Sequence, residues 1–370
     1  MPRHRLFFLT SLLCCFAIGL LPADGAGLPT ASRYKDHSKL LVYLDDNNSE
    51  HPVRSREDWA KRRKHILDGM QQAMGPLPDQ SKLPPLDLKV DEEVAGDGFV
   101  RQKITFVSEG SDRVPAYLFL PQRKGAERLP AMMALHQTTG IGKGEPAGIG
   151  GLANLHYGLE LARRGYVVLC PDYPSFGDYK YDFAKDDYVS GTMKGIFNHM
   201  RGVDLLASRA EVDPERIGVI GHSLGGHNSM FVGVFDERLK VIVSSCGWNP
   251  FHEYYGGKIA GWTSDRYMPR LRDVYQLNAD LVPFDFYGIV AAFSPRAFFS
   301  NSPLKDSNFE VSGVKKAEAA CRPVFELLGA DDALQVRYPD CAHDFPPEVR
   351  REAYQFIDRV LKHQPTKQVP

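Results

Sequence analysis

The sequence predicts an α/β protein built on a mostly parallel, doubly wound sheet with flanking helices. From Leu129 onward, short continuous apolar runs alternate with stretches of helical periodicity. Strands buried on both faces read as unbroken apolar runs, and crossover helices fall between them. Upstream, residues 86–121 instead alternate apolar and polar side chains, which marks antiparallel strands. The chain has 370 residues, of which 43% are hydrophobic, so it can fill one large core.

Each segment follows from its pattern. Arg3 and Arg5 precede an apolar run from Leu6 to Leu21, and Pro22 and small residues follow. That layout predicts a secretory signal peptide over residues 1–26. The run falls short of the ~20 residues that a spanning helix needs, so the exported protein is expected free of the membrane. Residues 27–115 should form an arm, a helix and antiparallel strands joined to the core. In "SREDWAKRRKHILDGMQQAMGPLP", Ser55 caps the helix and Gly75-Pro76 stops it. Trp59, Met70 and Met74 recur at helical spacing and are read as packing residues.

Residues 116–364 should hold the catalytic domain. "LPAMMALHQTTG", "YVVLCPDYPSFG", "RIGVIGHS", "LKVIVSSCGW", "RAFFSNSPLKDS" and "LQVRYPDCAH" read as its buried strands. Helices are expected over Ala153–Arg164, Val189–Ala210, Leu224–Phe235, Val314–Leu328 and Pro347–Leu361. The aromatic-rich stretch 247–286 is too long for an ordinary loop and is expected to be a lid insertion.

Open α/β sheets bind ligands outside the carboxyl ends of their strands. One such end carries Gly221-His222-Ser223-Leu224-Gly225, a G-x-S-x-G with a strand before it and a helix after. Glycines there permit a sharp turn that exposes the serine. A serine hydroxyl needs a base, and His343 stands after the last strand. Asp306 follows the preceding strand and is expected to orient His343, with Glu310, Asp331 and Asp332 as rivals. The oxyanion donors expected are the backbone N–H of Leu224 and that of Gln137, after the first parallel strand.

Several alternatives are excluded. The formal net charge is −1, and no basic stripe suggests a nucleic acid. "TTGIGKGEPAG" lacks both the first glycine and the Ser/Thr of a phosphate-binding loop, and is read as a flexible loop beside the pocket. No metal-ligand motif and no cofactor fingerprint is present. Beyond the signal segment, Cys170, Cys246, Cys321 and Cys341 fit neither a zinc knuckle nor a CxxC pair.

With "GHSLGG", "CPDYPSFGDY" and "CAHDF" placed, residues 118–361 resemble the α/β-hydrolase superfamily. The resemblance is nearest to dienelactone hydrolases, acetyl xylan esterases and prolyl-oligopeptidase-like catalytic domains. It departs from them in three places. No upstream propeller fits here, His136-Gln137 replaces the usual His-Gly, and the nucleophile is Ser223 where dienelactone hydrolases use cysteine.

The resemblance and the residues together imply a secreted serine hydrolase of carboxylic esters, acting through an acyl-serine without a cofactor. Trp248, Tyr254, Tyr255, Trp262 and Tyr267 of the insertion could stack on sugars, as could Tyr173, Phe176, Tyr179 and Tyr181. Packing would explain them equally well. An acylated carbohydrate is the substrate expected. The alternatives are a serine peptidase and a catalytically inactive binding protein on the same fold.

Overall fold

The structure, a computed structural model, describes residues 32–122 and 127–366. The expected signal segment lies outside the described residues. The chain enters through an antiparallel pair, β1 (Val42–Leu44) and β2 (Glu50–Pro52), that the irregular polar sequence did not announce. Helix α1 (Arg56–Met74) follows, with the Ser55 hydroxyl accepting from the Asp58 N–H as the cap requires. Three strands come next: β3 (Lys89–Ala95), β4 (Phe99–Glu109) and β5 (Asp112–Pro121).

The α/β part then runs β6 (Leu129–Leu135), α2 (Tyr157–Arg163), β7 (Val167–Pro171), α3 (Gly191–Ser208), β8 (Val212–His222) and α4 (Leu224–Phe235). It continues β9 (Leu239–Ser245), α5 (Arg270–Asp273), α6 (Phe286–Phe293), β10 (Ala297–Asn301), α7 (Val311–Leu327), β11 (Leu334–Arg337) and α8 (Pro347–Val360). These spans match the sequence expectations within a few residues, except at α5, a single turn inside the stretch read as a lid, and at α6. The sequence of α6, FYGIVAAF, is apolar all round and therefore shows no helical period.

A single nine-stranded sheet has the order β11-β10-β9-β8-β6-β7-β5-β4-β3. The six strands from β11 to β7 pair in parallel, and β5, β4 and β3 add antiparallel at one edge. Alternation along each strand divides the core. Met133, Val219 and Ile242 face the layer that contains α1, α3, α4, α6 and α7. Their neighbours Met132, Ile220 and Val243 face α2 and α8. Two apolar faces force helices onto both sides, so β8 is covered all round and ends pointing Ser223 out of the sheet's carboxyl edge.

The stretch 247–286 is less of a lid than expected. Trp248, Phe251, Ile259, Met268 and Leu271 are buried and join the core beneath α4 and α6. The glycine-rich loop after β6 also departs from expectation. Residues 142–147 are buried, and the Lys143 ammonium reaches Asp172 at 2.6 Å and Asp178 at 2.8 Å. A buried ion pair holds that loop to the loop after β7. Among the described residues, no helix is long and apolar enough to cross a membrane.

A second buried ion pair fixes the region that carries His343. Arg350 of α8 donates to Glu160 of α2 at 2.9 and 3.1 Å, and to the carbonyl of Phe345 at 2.6 Å. Tyr354 also donates to Glu160. Removing one partner strands a buried charge, so Arg350→Leu should cost about 3–5 kcal/mol in urea unfolding. The double change Arg350→Leu with Glu160→Leu should recover much of that loss. A single change costing under about 1 kcal/mol would show that the pair does not tie α8 to α2.

Candidate active site

The site begins with a backbone strained at one residue. Ser223 sits between β8 and α4 with φ 54° and ψ −116°, a conformation that side-chain-bearing residues rarely adopt. The strain is held by close approach. A Cβ on Gly221 would lie 2.2 Å from the Gly225 carbonyl oxygen, and a Cβ on Gly225 would lie 2.0 Å from that of Leu135. Only glycine fits at either position. The Ser223 N–H donates to the Ser245 carbonyl at 2.8 Å, which pins the turn to β9. The Leu224 N–H stands at the first position of α4, where N–H groups lack helical partners and the helix dipole is positive.

His343 and Asp306 meet as the sequence expects. The His343 Nδ1–H donates to the Asp306 carboxylate at 2.9 and 3.0 Å. The Asp306 side chain is 1% exposed, and it accepts the N–H groups of Asn308 (2.8 Å) and Phe309 (3.2 Å) as well. A carboxylate fixed in this way sets the histidine tautomer and leaves Nε2 outside that bond. The His343 ring meets the ring of His222, next to Ser223, at 4.8 Å between centroids. It also stacks on Phe309 at 6.1 Å.

The rival acids are accounted for elsewhere. Glu310 caps α7 through the Ser312 N–H, and Asp331 and Asp332 lie in a short 3-10 turn before β11. Asp340 pairs with Lys305, and Asp344 accepts from Asn154.

Asn301, which sequence reasoning did not single out, holds these parts together. Its amide donates to the Ser245 hydroxyl and to the Asp344 carbonyl, both at 2.8 Å. Ser245 Oγ in turn lies 2.9 Å from His222 Nδ1. The Asn301 carbonyl accepts the N–H of Cys246 at 2.8 Å. One buried amide therefore ties the histidine loop to the strand beneath the serine turn. Its only sequence signal is a polar residue in the apolar run of β10.

Thr138, Ser223, Leu224, His227, Tyr254, Tyr255, Gly261, Trp262, Tyr267, Asn308 and Phe309 line a cavity of about 160 Å³. Four of the five aromatic residues expected from the insertion are here. The fifth, Trp248, is packed in the core with its indole N–H on Ser300. Tyr173, Phe176 and Tyr179 are buried as well. Thr138 lines the cavity where Gln137 does not, while His136 Nδ1 lies 2.6 Å from the Gln137 carbonyl and its Nε2 accepts the Tyr173 N–H at 2.9 Å.

Two polar groups on this wall lack partners. Both ring nitrogens of His227 and the indole N–H of Trp262 make no hydrogen bond among the described residues. His227 is 7% exposed and Trp262 3%. The nearby Gly247 carbonyl misses hydrogen-bonding geometry with His227 and only offsets part of the effect of burial, which pushes that histidine down to about 3. His227 is therefore an uncharged donor and acceptor, its ring at 4.8 Å from that of Trp262.

His222, Cys246 and His343 bring three possible metal-ligand atoms within 4.8 Å of one another. Burial drives the Cys246 thiol well above its ordinary range and the His222 ring well below its own. The cluster shares His343 with the Asp306 pair. All four described cysteines are free thiols.

With that geometry in place, the chain's class is clear: it belongs to the alpha/beta hydrolase family, whose profile matches residues 148–363. Among curated proteins it is 26% identical over 318 residues to the putative hydrolase YtaP of Bacillus subtilis, covering 82% of this chain and 99% of that one. It is 22% identical to the carbohydrate esterase MZ0003 of an unknown prokaryotic organism, over 81% of this chain and 80% of the other. A glucuronoyl esterase from Solibacter usitatus superposes with a TM-score of 0.66 at 17% identity, covering 92% of this chain and all of that one. A putative acetyl xylan esterase from Bacteroides fragilis gives 0.59 at 16% identity, over 87% and 93% of the two chains. At these identities the two superpositions establish the fold.

Two outcomes follow. Asn301→Ala should lower kcat by about 10- to 100-fold with KM little changed, because it loosens the His343 loop without touching the cavity. A variant with wild-type kcat would show that the amide serves stability alone. The second outcome concerns acid. Burial holds His199 and His227 near 3, and lowers His136 and His222. The unfolded chain protonates these rings near pH 6.5. Their stabilising contribution is thus complete above about 6.5 and declines as pH falls, for His199 and His227 down to about 3 and by about 1.4 kcal/mol per pH unit for each of these two rings. Urea midpoints should fall between pH 7.5 and 5.5, and an unchanged midpoint would contradict the assignment of neutral buried rings.

Proposed function

We propose that this protein is an exported serine esterase whose substrate is an uncharged carbohydrate ester. The observation that carries this reading is the cavity beside Ser223. Its wall is aromatic, none of its lining side chains is charged, and it holds two buried polar groups in want of partners. A buried donor or acceptor left unmade costs about 1–3 kcal/mol, so a ligand that supplies hydroxyl groups gains at both places. Sugar rings offer such hydroxyls together with a C–H face for Tyr and Trp to cover. The cavity is smaller than the ~300–1,000 Å³ of sites that enclose whole drug-sized ligands, so it takes one ring or acyl group. The carbohydrate esterase, glucuronoyl esterase and acetyl xylan esterase names of similar proteins agree with this class.

The mechanism uses the chain's own groups. Ser223 Oγ attacks the ester carbonyl as His343 Nε2 takes its proton. Asp306 stabilises the imidazolium through Nδ1–H. The Leu224 N–H and the loop after β6, through Gln137 and the adjoining Thr138 peptide, hold the oxyanion. His343 then gives its proton to the departing alcohol oxygen. Water, deprotonated by the same nitrogen, cleaves the acyl-serine and frees the acid. A peptidase reading needs a carboxylate to receive a free amino terminus, and the cavity wall provides none.

The test compares p-nitrophenyl acetate with acetylated xylose and methyl glucuronate. Ser223→Ala should lower turnover of every substrate by at least about 10³-fold. His227→Ala should lower kcat/KM on the preferred sugar ester about 10- to 100-fold while leaving p-nitrophenyl acetate within about threefold. Equal losses on both substrates would refute recognition of hydroxyls by His227. Full activity in Ser223→Ala would refute the serine mechanism.

A further inference from the structure

A second cavity, of about 400 Å³, lies at the other end of the sheet. Lys240 near the start of β9 and Arg296 just before β10 line it, so it opens at the amino ends of parallel strands whose carboxyl ends carry the serine site. Arg56, Trp59 and Arg63 of α1 close one side, and Ser294 at the end of α6 closes another. Four of these side chains are cationic; the lone lining carboxylate, Glu237, is spent on Arg63 at 2.9 Å, and Lys240 pairs at 3.2 Å with the exposed Glu215 outside the cavity.

The donors around this cavity are not used up. The indole N–H of Trp59, the hydroxyl of Ser294 and Nη2 of Arg296 are buried without a hydrogen-bond partner among the described residues. Trp59 is 3% exposed and Ser294 4%. Other donors of the same arginines do have work. Arg296 Nη1 serves the carbonyls of Asp236 and Leu239 at 3.0 Å, Arg63 serves those of Ala292 and Val234, and Arg56 serves that of Leu328. Those bonds explain why arginines stand at these helix ends. They do not account for three further donors, on residues that line this cavity, with nothing to bond. Burial and the nearby Arg63 draw Arg296 down to about 10, which records charge held close to like charge and still protonated at neutral pH.

We propose that this cavity binds a doubly charged oxyanion, phosphate or sulfate, free or carried on a small organic ester. With Arg63 on Glu237 and Lys240 on Glu215, Arg56 and Arg296 are left without a carboxylate partner among the described residues, an excess that two negative charges would balance. An N–H, an O–H and a guanidinium edge match an oxyanion with several acceptor oxygens. The volume leaves space beside the anion for the group that carries it. The site is distinct from the serine cavity, and its occupancy should stabilise the fold by linkage without entering the hydrolytic reaction.

The test is thermal unfolding in inorganic phosphate, sulfate, glycerol phosphate or chloride at matched ionic strength, with Trp fluorescence titrated alongside. A saturable rise in Tm of about 2 °C or more is expected with phosphate or sulfate and not with chloride. A tighter response to glycerol phosphate would identify the ester as the ligand, and an equal one the free ion. Lys240→Gln, at a half-exposed position that should fold normally, is expected to weaken the response about tenfold, and Ser294→Ala to weaken it severalfold. Hydrolysis of p-nitrophenyl acetate should be unchanged in both. Equal responses to phosphate and chloride, or phosphate binding unaltered in both variants, would overturn the site.

Discussion

The turn at Ser223 constrains everything around it. With φ at 54°, the serine is held in a backbone region that costs of order 1–3 kcal/mol, and the cost is sustained only because the surroundings permit no other path. Gly221 and Gly225 approach backbone carbonyls so closely that no side chain fits. β8 must therefore end, and α4 begin, within a single residue. The same approach sets the separation of β6, β8 and α4 and places the Leu224 N–H beside the serine. Strain at this point buries the strand and exposes the hydroxyl at once.

Two buried systems keep the rest in register with that turn. Asn301 joins the Ser245 hydroxyl to the Asp344 carbonyl, so the strand under the Ser223 turn and the loop of His343 are tied together. Arg350 and Glu160 brace the other side of that loop through the Phe345 carbonyl. Around them stand histidines that burial keeps neutral. Uncharged rings at His136, His222 and His227 leave Asp306 as the charged partner that His343 meets directly. The cavity that His227 lines has hydrogen-bonding capacity and no charged lining residue, which suits the neutral ester proposed as substrate.

Much of this was legible in the sequence, for identifiable reasons. Parallel strands buried on both faces announce themselves as apolar runs, and a glycine-flanked serine between a strand and a helix has few other uses. The meeting of Asp306 with His343 followed from chain order and strand ends. What remained hidden depends on three-dimensional closure. β1 and β2 are short and polar, and α6 is apolar on every side, so neither shows a period. Trp248 and Trp262 look alike in sequence, yet one is packed in the core with its N–H satisfied and the other faces the cavity with its N–H free. Lys143 looked like part of a mobile glycine loop because its partners, Asp172 and Asp178, lie about thirty residues away.

The central claim is that Ser223 is the activated nucleophile and His343 its base. Its most direct measurement is labelling with a fluorophosphonate, followed by mass mapping of the adduct. The account predicts one adduct, on Ser223, formed at least about a hundredfold more slowly in His343→Ala. An adduct on another residue, no adduct at all, or equal labelling in His343→Ala would contradict it.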